Sequence, residues 1–267
     1  MRIRLIRRNL SNKDFDKIKY DKVAEFQAIL SDEELRANVA TNGMPKFQKI
    51  VFEYYYECIQ NNIDSKMEVL ELGAGMGRYT GAILDTGSNL TVNDISALSL
   101  KILKRIYPSV NHMITSPMEH IPSKSDSYDA IISCGSLSYA DPDTMDREIF
   151  RLLRKGGSLI ILDTLNHNPI YKLNRFLKYL MKKQSQLSIK SIPDIGRIGM
   201  LSKHFDESQI KFFGTYYWII QVMSFIFGEN LAYKMNLLLE RYFPSGKNAF
   251  KFVLVCNGYH KSQEHLI

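Results

Sequence analysis

One short segment, from Val69 to Thr80, constrains the fold more than any other part of the chain. It ends an apolar strand in the sequence Glu71-Leu72-Gly73-Ala74-Gly75-Met76-Gly77 and then opens a helix. Glycines adopt positive φ and carry no Cβ, so such a turn bends tightly and lets a ligand approach the backbone N–H groups of the following helix. The segment predicts an α/β domain with a binding site at this turn, suited to a nucleoside or a carboxylate.

A second motif lies one strand and one helix further along the chain. The stretch from Asn89 to Ser96 ends an apolar strand in Asp94, 21 positions after Gly73. A carboxylate at this spacing suits the two hydroxyls of a ribose. Dinucleotide-binding turns follow G-x-G-x-x-G, whereas the third glycine here comes one residue early, so the pattern favours a different nucleoside cofactor.

The order of these motifs resembles that of the class I S-adenosylmethionine-dependent methyltransferases. Met118 to Cys134 is similar to the adenine-contacting loop and fourth strand of that family, and Arg151 to Asp163 to its glycine turn and fifth strand. The resemblance implies a Rossmann-like α/β fold with a seven-stranded sheet, mostly parallel with an antiparallel last strand, flanked by helices, with helical N-terminal and C-terminal additions. The alternative is an α/β domain with an incidental glycine turn.

The resemblance also implies S-adenosylmethionine as the cofactor and a set of residues that contact it. The family usually has an acidic residue two positions before Glu119, and this chain has Pro117 there. Adenine is therefore expected to contact the main chain around Met118, and Glu119 is either a cofactor contact or a solvated loop charge. The expected cofactor-binding residues are Glu71, Gly73, Ala74, Gly75, Gly77, Asp94, Ile95, Met118, Glu119 and Cys134.

Composition agrees with a globular protein of the cytoplasm. Of the 267 residues, 45% are hydrophobic and 24% charged, which is ordinary for soluble domains. The three cysteines lack metal-binding or disulfide spacing, which favours a reducing compartment. The basic N-terminus has no apolar run of signal-peptide length, and no stretch reaches the ~20 apolar residues of a membrane span. We expect a cytoplasmic protein, with peripheral contact at the inner face of the membrane as an alternative.

Hydrophobic patterning divides the chain into a helical start and a methyltransferase-like remainder. Residues 1–62 are predicted as a helical segment that packs on the core, and residues 63–267 as the main domain. Insertions on the acceptor side are expected at about 166–206 and 218–247. The pattern predicts a helix from Pro169 to Lys183, a sixth strand at 209–217 and a seventh at 249–256. The apolar stretch from Trp218 to Phe227 is interpreted as part of the core, with a surface that contacts a membrane interface as the alternative.

Positive charge is concentrated in one part of the chain. The stretch from Tyr171 to Lys203 has eight basic residues and one acid, Asp194, so its surplus equals the +7 net charge of the whole chain. Such a cluster indicates an anionic partner, for example a phosphate-bearing acceptor or an anionic membrane, although a solvated helix face explains it equally well.

Residues after the fourth and fifth strands are the candidates for acceptor chemistry, because open α/β sheets bind ligands at the carboxyl ends of their strands. The magnesium ligands of catechol-type O-methyltransferases are not matched there, which favours a metal-free mechanism. His167 follows the fifth strand and is the first candidate for a general base, since a near-neutral imidazole accepts the proton of a hydroxyl acceptor. His204 is the second candidate; the alternative for His167 is a structural role in its loop.

The leading functional hypothesis is O-methylation of a sugar hydroxyl on a glycan, nucleotide-linked or lipid-linked saccharide. The stretch from Asn166 to Arg175 resembles methyltransferases of bacterial surface-polysaccharide clusters, and this resemblance is the reason for choosing a saccharide as the acceptor. The alternatives are a quinone, lipid or natural-product methyltransferase, an RNA methyltransferase, and a non-catalytic protein that binds the cofactor. Nucleic acid is disfavoured because no RNA-binding module is recognised, and the oligomeric state stays open.

Overall fold

The computed structural model of the protein describes residues 11–41, 44–181 and 185–261. Among these residues, three α-helices precede the first strand: α1 (Asn12–Ala28), α2 (Asp32–Thr41) and α3 (Lys49–Asn62). Ser11 caps α1, since its Oγ accepts from the backbone N–H of Asp14 at 3.1 Å. Ser31 and Glu34 form a reciprocal capping box at the start of α2. The expected helical start is therefore present between residues 12 and 62.

Within the described residues, seven strands form a single sheet in the order β3-β2-β1-β4-β5-β7-β6. All neighbouring pairs run parallel except those made by β7, which is antiparallel to both β5 and β6. This confirms the predicted sheet. The strands are β1 (Glu68–Leu72), β2 (Asn89–Asp94), β3 (His112–Thr115), β4 (Tyr128–Cys134), β5 (Leu153–Thr164), β6 (Phe205–Phe213) and β7 (Lys251–Tyr259).

Helices alternate with the strands and cover both faces of the sheet. The α-helices after β1 are α4 (Thr80–Leu84), α5 (Ala97–Ile106), α6 (Pro142–Leu152), α7 (Pro169–Leu180), α8 (Gln186–Lys190), α9 (Ile195–Ser202), α10 (Tyr217–Phe227) and α11 (Glu229–Tyr242). One apolar cluster lies between α3, α5 and the sheet and contains Tyr55, Ile59 and Leu103. The other lies on the opposite face, around α6 and α9, and contains Met145 and Ile198.

The predicted positions of the last two strands differ from the structure by a few residues. The predicted β6 begins and ends too late in the chain, and the predicted β7 begins and ends too early. β6 begins at Phe205, four residues before the predicted start. The residues from Asp206 to Gln209 are polar and exposed because β6 is an edge strand that pairs only with β7, so their sequence does not have the apolar alternation of a strand. β7 continues to Tyr259 because its second half pairs with these same β6 residues. The stretch between β6 and β7 forms two helices, separated at Gly228, which has φ of 86°.

Most of the apolar stretch in α10 is exposed, so its interpretation as core is wrong for these residues. Tyr217 and Ile220 are buried against α7 and α11, but Phe225 is 92% exposed, and so are large parts of Trp218 and Val222. The apolar side chains of α7 are exposed as well; they are Ile170, Leu173, Phe176, Leu177 and Leu180. One end of the molecule therefore presents apolar side chains outward.

Candidate functional site

The glycine turn after β1 adopts the conformation that its sequence predicts. Gly73, Gly75 and Gly77 have φ of 64°, 56° and 92°, values that other residues rarely adopt. A Cβ at Gly73 would lie 2.5 Å from the Cβ of Ser136, so this position has no space for a side chain. A Cβ at Gly75 would meet nothing within 4 Å, because this glycine borders a cavity. The turn therefore offers bare backbone to a ligand.

Asp94 stands at the carboxyl end of β2 and faces the same turn. Its Oδ2 accepts a hydrogen bond from the N–H of Gly75 at 2.8 Å, and its Oδ1 accepts one from the N–H of Ser96 at 2.8 Å. Burial raises the pKa of this carboxyl, and the two N–H donors oppose the rise. Each carboxylate oxygen has a second acceptor position, so Asp94 has the capacity to bind two further hydroxyls.

Glu71 is buried at the end of β1 with only 4% of its surface exposed. Its Oε2 accepts a hydrogen bond from Thr80 Oγ1 at 2.7 Å. Burial raises the pKa of Glu71 to about 8, and Asp94 acts in the same direction. Below that pH the carboxyl holds its proton, and a cation placed beside it would favour the ionised form.

Glu119 is an ion-paired side chain, so its interpretation as a solvated loop charge is wrong. Its Oε1 lies 2.7 Å from Lys13 Nζ and accepts from the N–H of Asp141 at 3.1 Å. Lys13 belongs to α1, which the sequence places far from this loop. The pair therefore ties the N-terminal helix to the rim of the cavity.

A cavity of about 340 Å³ lies over the glycine turn and the ends of β1, β2 and β4. Gly77 is not among its lining residues, since its Cα faces Tyr107. The predicted cofactor residues that do line it are Glu71, Gly73, Ala74, Gly75, Asp94, Ile95, Met118, Glu119 and Cys134.

Helix α1 covers one side of this cavity, which the sequence did not predict. Asp16 and Tyr20 line the cavity together with Tyr139, which follows β4. Tyr20 donates a hydrogen bond to the hydroxyl of Tyr139 at 2.6 Å, and their rings pack edge to face. Ser185 Oγ donates to Asp16 Oδ2 at 2.7 Å. No local pattern signals these contacts, because they join residues more than a hundred positions apart.

The other side of the cavity combines aromatic and cationic side chains. Phe52 of α3 stacks on Tyr79 with ring centroids 5.5 Å apart, and both line the cavity. Arg78 and Lys251 also line it. Burial raises the pKa of the Cys134 thiol to about 12, so this cysteine stays protonated and is unsuited to act as a nucleophile.

The comparisons with known proteins agree with this geometry. Residues 70–161 match the family model described as a methyltransferase domain. The match begins in β1 and ends in β5, and it includes the glycine turn and Asp94. These residues belong to the class I methyltransferases.

Sequence relatives of the methyltransferase domain cover part of the chain. Over 132 residues the chain is 31% identical to a demethylmenaquinone methyltransferase of Paenarthrobacter aurescens, which covers 48% of this chain and 51% of the relative. It is 30% identical to the mitochondrial 2-methoxy-6-polyprenyl-1,4-benzoquinol methylase of Caenorhabditis elegans, over 46% of this chain and 48% of the relative. The chain thus spans about half the length of these curated relatives.

Solved structures share the fold of the methyltransferase domain at low identity. A geranyl diphosphate C-methyltransferase of Streptomyces coelicolor aligns with a TM-score of 0.56 and 16% identity, covering 79% of each chain. A putative sarcosine dimethylglycine methyltransferase of Galdieria sulphuraria aligns with a TM-score of 0.52 and 15% identity, covering 78% of this chain and 84% of the other.

The structure places both candidate general bases outside the residues that line the cavity. His167 is exposed in the loop between β5 and α7. His204 precedes β6 and packs on Phe150, with ring centroids 4.4 Å apart. A catalytic role for either histidine stays a prediction. Among the described residues, no group of three or more His, Cys, Asp or Glu side chains is arranged to hold a metal ion.

The basic stretch from Tyr171 to Lys203 is divided between interior and surface. Arg197 is buried and pairs with Asp146 at 2.7 Å, and Arg175 is buried beside β5. Lys182 and Lys183 lie outside the described residues. The two arginines therefore do not contribute to a clustered basic face, because their guanidinium groups make contacts inside the fold.

Proposed function

We propose that this protein transfers the methyl group of S-adenosylmethionine to a small-molecule acceptor. The observation that carries the proposal is the glycine turn, where the open position at Gly75 and the carboxylate of Asp94 border one cavity. Bare backbone at the turn suits close approach of adenosine, and an acidic group at the end of β2 suits its ribose diol.

The residues of the cavity fit this cofactor in charge as well as in shape. Asp94 would accept from the ribose hydroxyls, and Met118 and Ile95 would pack against adenine. Glu71 would face the positively charged methionine end, where a cation favours its ionised form. When bound, S-adenosylmethionine supplies an electrophilic methyl group on sulfur. The protein then has mainly to align an acceptor with that methyl group and to exclude water.

The covered side of the cavity supports an acceptor bound between α1 and the end of β4. Tyr20 and Tyr139 form a hydrogen-bonded pair there, and Asp16 lies beside them. Burial raises the pKa of Asp16, which makes its carboxyl a better proton acceptor than a solvated aspartate. We propose that this group of side chains positions the acceptor.

Two acceptor classes are proposed. The resemblance of residues 166–175 to methyltransferases of surface-polysaccharide clusters supports O-methylation of a saccharide hydroxyl without a metal. The names of the sequence relatives, which include a demethylmenaquinone methyltransferase, support a quinol-type acceptor instead. For either class, the exposed apolar side chains of α7 and α10 support contact with a membrane, where lipid-linked acceptors reside.

The test is release of S-adenosylhomocysteine by the purified protein. S-adenosylmethionine is supplied with a panel of nucleotide-linked sugars, polyprenyl-linked saccharides, demethylated quinols and RNA. We expect turnover with one of the first three classes. Failure of the protein to bind S-adenosylmethionine in titration calorimetry would contradict the proposal, and binding without turnover on any class would favour a non-catalytic role.

The same assay tests the histidines. As a general base for a hydroxyl acceptor, His167 should be worth about 10²–10⁴ in rate. Its His167→Ala variant then loses turnover by that factor and keeps its cofactor affinity. Near-normal turnover would instead assign proton removal to a group inside the cavity, and Asp16→Asn would be the next variant.

A further inference from the structure

Lys251 is a cationic side chain that lines the cavity and has no acceptor within the part of the chain that the structure describes. It is the first residue of β7 and pairs in register with Thr164 at the carboxyl end of β5. Its Nζ lies 5.3 Å from the ring centroid of Phe52 and 5.6 Å from that of Phe250. Within residues 11–41, 44–181 and 185–261, no hydrogen bond or ion pair of this ammonium group is found. Among the described residues, the groups that contact the ammonium face to face are thus aromatic rings.

Other cations stand near Lys251, so the surroundings do not neutralise it. Arg175 is 7% exposed and donates from Nη1 to the carbonyl of Leu165 at 3.0 Å. Its Nη2 is buried and has no hydrogen-bond partner among the described residues. Arg78 also lines the cavity; its Nε donates to the carbonyl of Val39 at 3.3 Å, and its charge acts on Lys251.

Asp163 is the carboxylate whose charge acts on Lys251, and its oxygens are already engaged. Its Oδ1 accepts from the N–H of Thr164 at 2.6 Å, and its Oδ2 accepts from the N–H of Leu137 at 3.1 Å. Burial lowers the pKa of Lys251, and the charge of Asp163 opposes that change. Asp163 is thus held by backbone N–H groups, and within the described residues it makes no ion pair with Lys251.

A charge that is partly removed from water and has no ionic partner is unfavourable, and an anion that enters the cavity would reduce this penalty. We propose that Lys251, which is half-buried and lines the cavity with Arg78, binds an anionic group of the phosphate or carboxylate class at this end of the cavity. The ring faces of Phe52 and Phe250 lie near the ammonium group but supply no anionic acceptor. This inference rests on the proposed function, because it concerns the molecules that the methyltransferase brings together.

Two molecules could supply the anion. One is the methyl acceptor, through a phosphate or carboxylate of its own. The other is the methyl donor, through the carboxylate of its methionine part. In both cases an anionic group binds the ammonium of Lys251. The two cases differ in which ligand binds more weakly when the positive charge is removed.

The experiment compares Lys251→Met, which removes the charge at similar length, with Lys251→Arg, which retains it. Lys247→Met is the matched control, since Lys247 is exposed and the variant has the same net charge. Titration calorimetry measures inorganic phosphate in the presence of 5′-methylthioadenosine, which is the donor's nucleoside without its carboxylate. Affinities for S-adenosylhomocysteine and for 5′-methylthioadenosine are measured separately, and thermal melting checks that each variant is folded.

An anion from the acceptor predicts at least tenfold weaker phosphate binding by Lys251→Met, with S-adenosylhomocysteine unaffected. An anion from the donor predicts at least tenfold weaker S-adenosylhomocysteine binding, with 5′-methylthioadenosine unaffected. In both cases Lys251→Arg restores most of the affinity and Lys247→Met resembles the parent protein. Equal affinities of parent and folded Lys251→Met for both anionic ligands would overturn this inference alone. Failure of the parent protein to bind either nucleoside would instead overturn the proposed function.

Discussion

The two halves of the sheet differ in whether their charged side chains have partners. Around β1 and β2, the carboxylate of Asp94 accepts from two backbone N–H groups, and Glu119 pairs with Lys13. Around β5 and β7, Lys251 has no acceptor and Arg175 has one unpaired nitrogen among the described residues. Backbone N–H groups hold a carboxylate in both halves, because Asp163 of β5 also accepts from two of them. Of these residues, those of the second half alone include cations that lack an acceptor.

Apolar surface follows the same division. Helix α5, beside β2, buries Leu100 and Leu103 against the sheet and Ile106 against α1 and α2. Helices α7 and α10, beside β5 and β7, expose large side chains such as Leu173 and Phe225. Exposed apolar surface of this kind usually marks an interaction site. We infer that the half around β1 and β2 holds the cofactor and that the half around β5 and β7 carries the contacts that differ between acceptors.

The largest effect is expected from Gly73→Ala. The residue has φ of 64°, and a Cβ there would lie 2.5 Å from Ser136 Cβ. The backbone strain and the clash together should lower the free energy of unfolding by about 2–5 kcal/mol and abolish detectable cofactor binding. Chemical denaturation and titration calorimetry measure both. Gly246→Ala, at an exposed glycine with open space, should change neither; an intact Gly73→Ala protein that binds the cofactor would contradict the inference that the half around β1 and β2 holds it.

The next effect is expected from Asp94→Ala. Loss of the charge-assisted hydrogen bonds to the ribose diol should weaken S-adenosylmethionine binding by roughly 1.5–3 kcal/mol, which is at least tenfold. Calorimetry on the folded variant measures it, with Asp85→Ala, an exposed aspartate next to α4, as the control. Unchanged affinity of Asp94→Ala would contradict the placement of the ribose.

The pH dependence of cofactor binding tests Glu71. Its pKa of about 8 means that the folded protein holds a proton there at lower pH. A bound cation lowers that pKa, so binding releases the proton, and the affinity for S-adenosylmethionine should rise by up to about tenfold per pH unit from about pH 6 to about pH 7.5. Glu71→Gln should flatten the profile. Uncharged 5′-methylthioadenosine should show no such rise, and a rise of equal slope with both ligands would exclude Glu71 as its source.

The smallest effect concerns the apolar end. Co-sedimentation with anionic vesicles should be salt-sensitive, since α7 carries Lys172 and Lys178 and no acid. Phe225→Glu should reduce it several-fold through lost burial in the interface and added negative charge. Glu229→Gln leaves the apolar side chains in place and should retain binding. Absence of binding by the parent protein would leave the exposed side chains as a contact for another protein. No helix within the described parts of the chain is long and apolar enough to cross a bilayer.

Much of the cofactor half could be predicted because its signals are local. The positive φ values of Gly73 and Gly75 follow from residue type, and Asp94 follows its strand directly. The cover of the cavity could not be predicted in this way. Tyr20 and Tyr139 are separated by 119 positions, and neither carries a pattern that indicates the other.

The sequence pattern also gave wrong predictions of burial for some side chains. Arg175 stands at a helical spacing typical of a solvated basic face, yet its guanidinium reaches the carbonyl of Leu165 and is buried. The apolar side chains of α10 have the composition of a core helix, yet most of them face outward. Burial depends on which elements pack nearby, and that is a property of the assembled sheet.

By itself, the sequence determined the strand-turn-helix of the cofactor half, because glycine conformation and strand alternation act over a few residues. Tertiary structure decided which residues lie next to each other in the half around β5 and β7. The antiparallel entry of β7 beside β5 places Lys251 next to Thr164, far from it in sequence, and the packing of α3 brings Phe52 against the same ammonium group. These contacts join residues that are close only after the chain has closed long loops, so no local pattern encodes them.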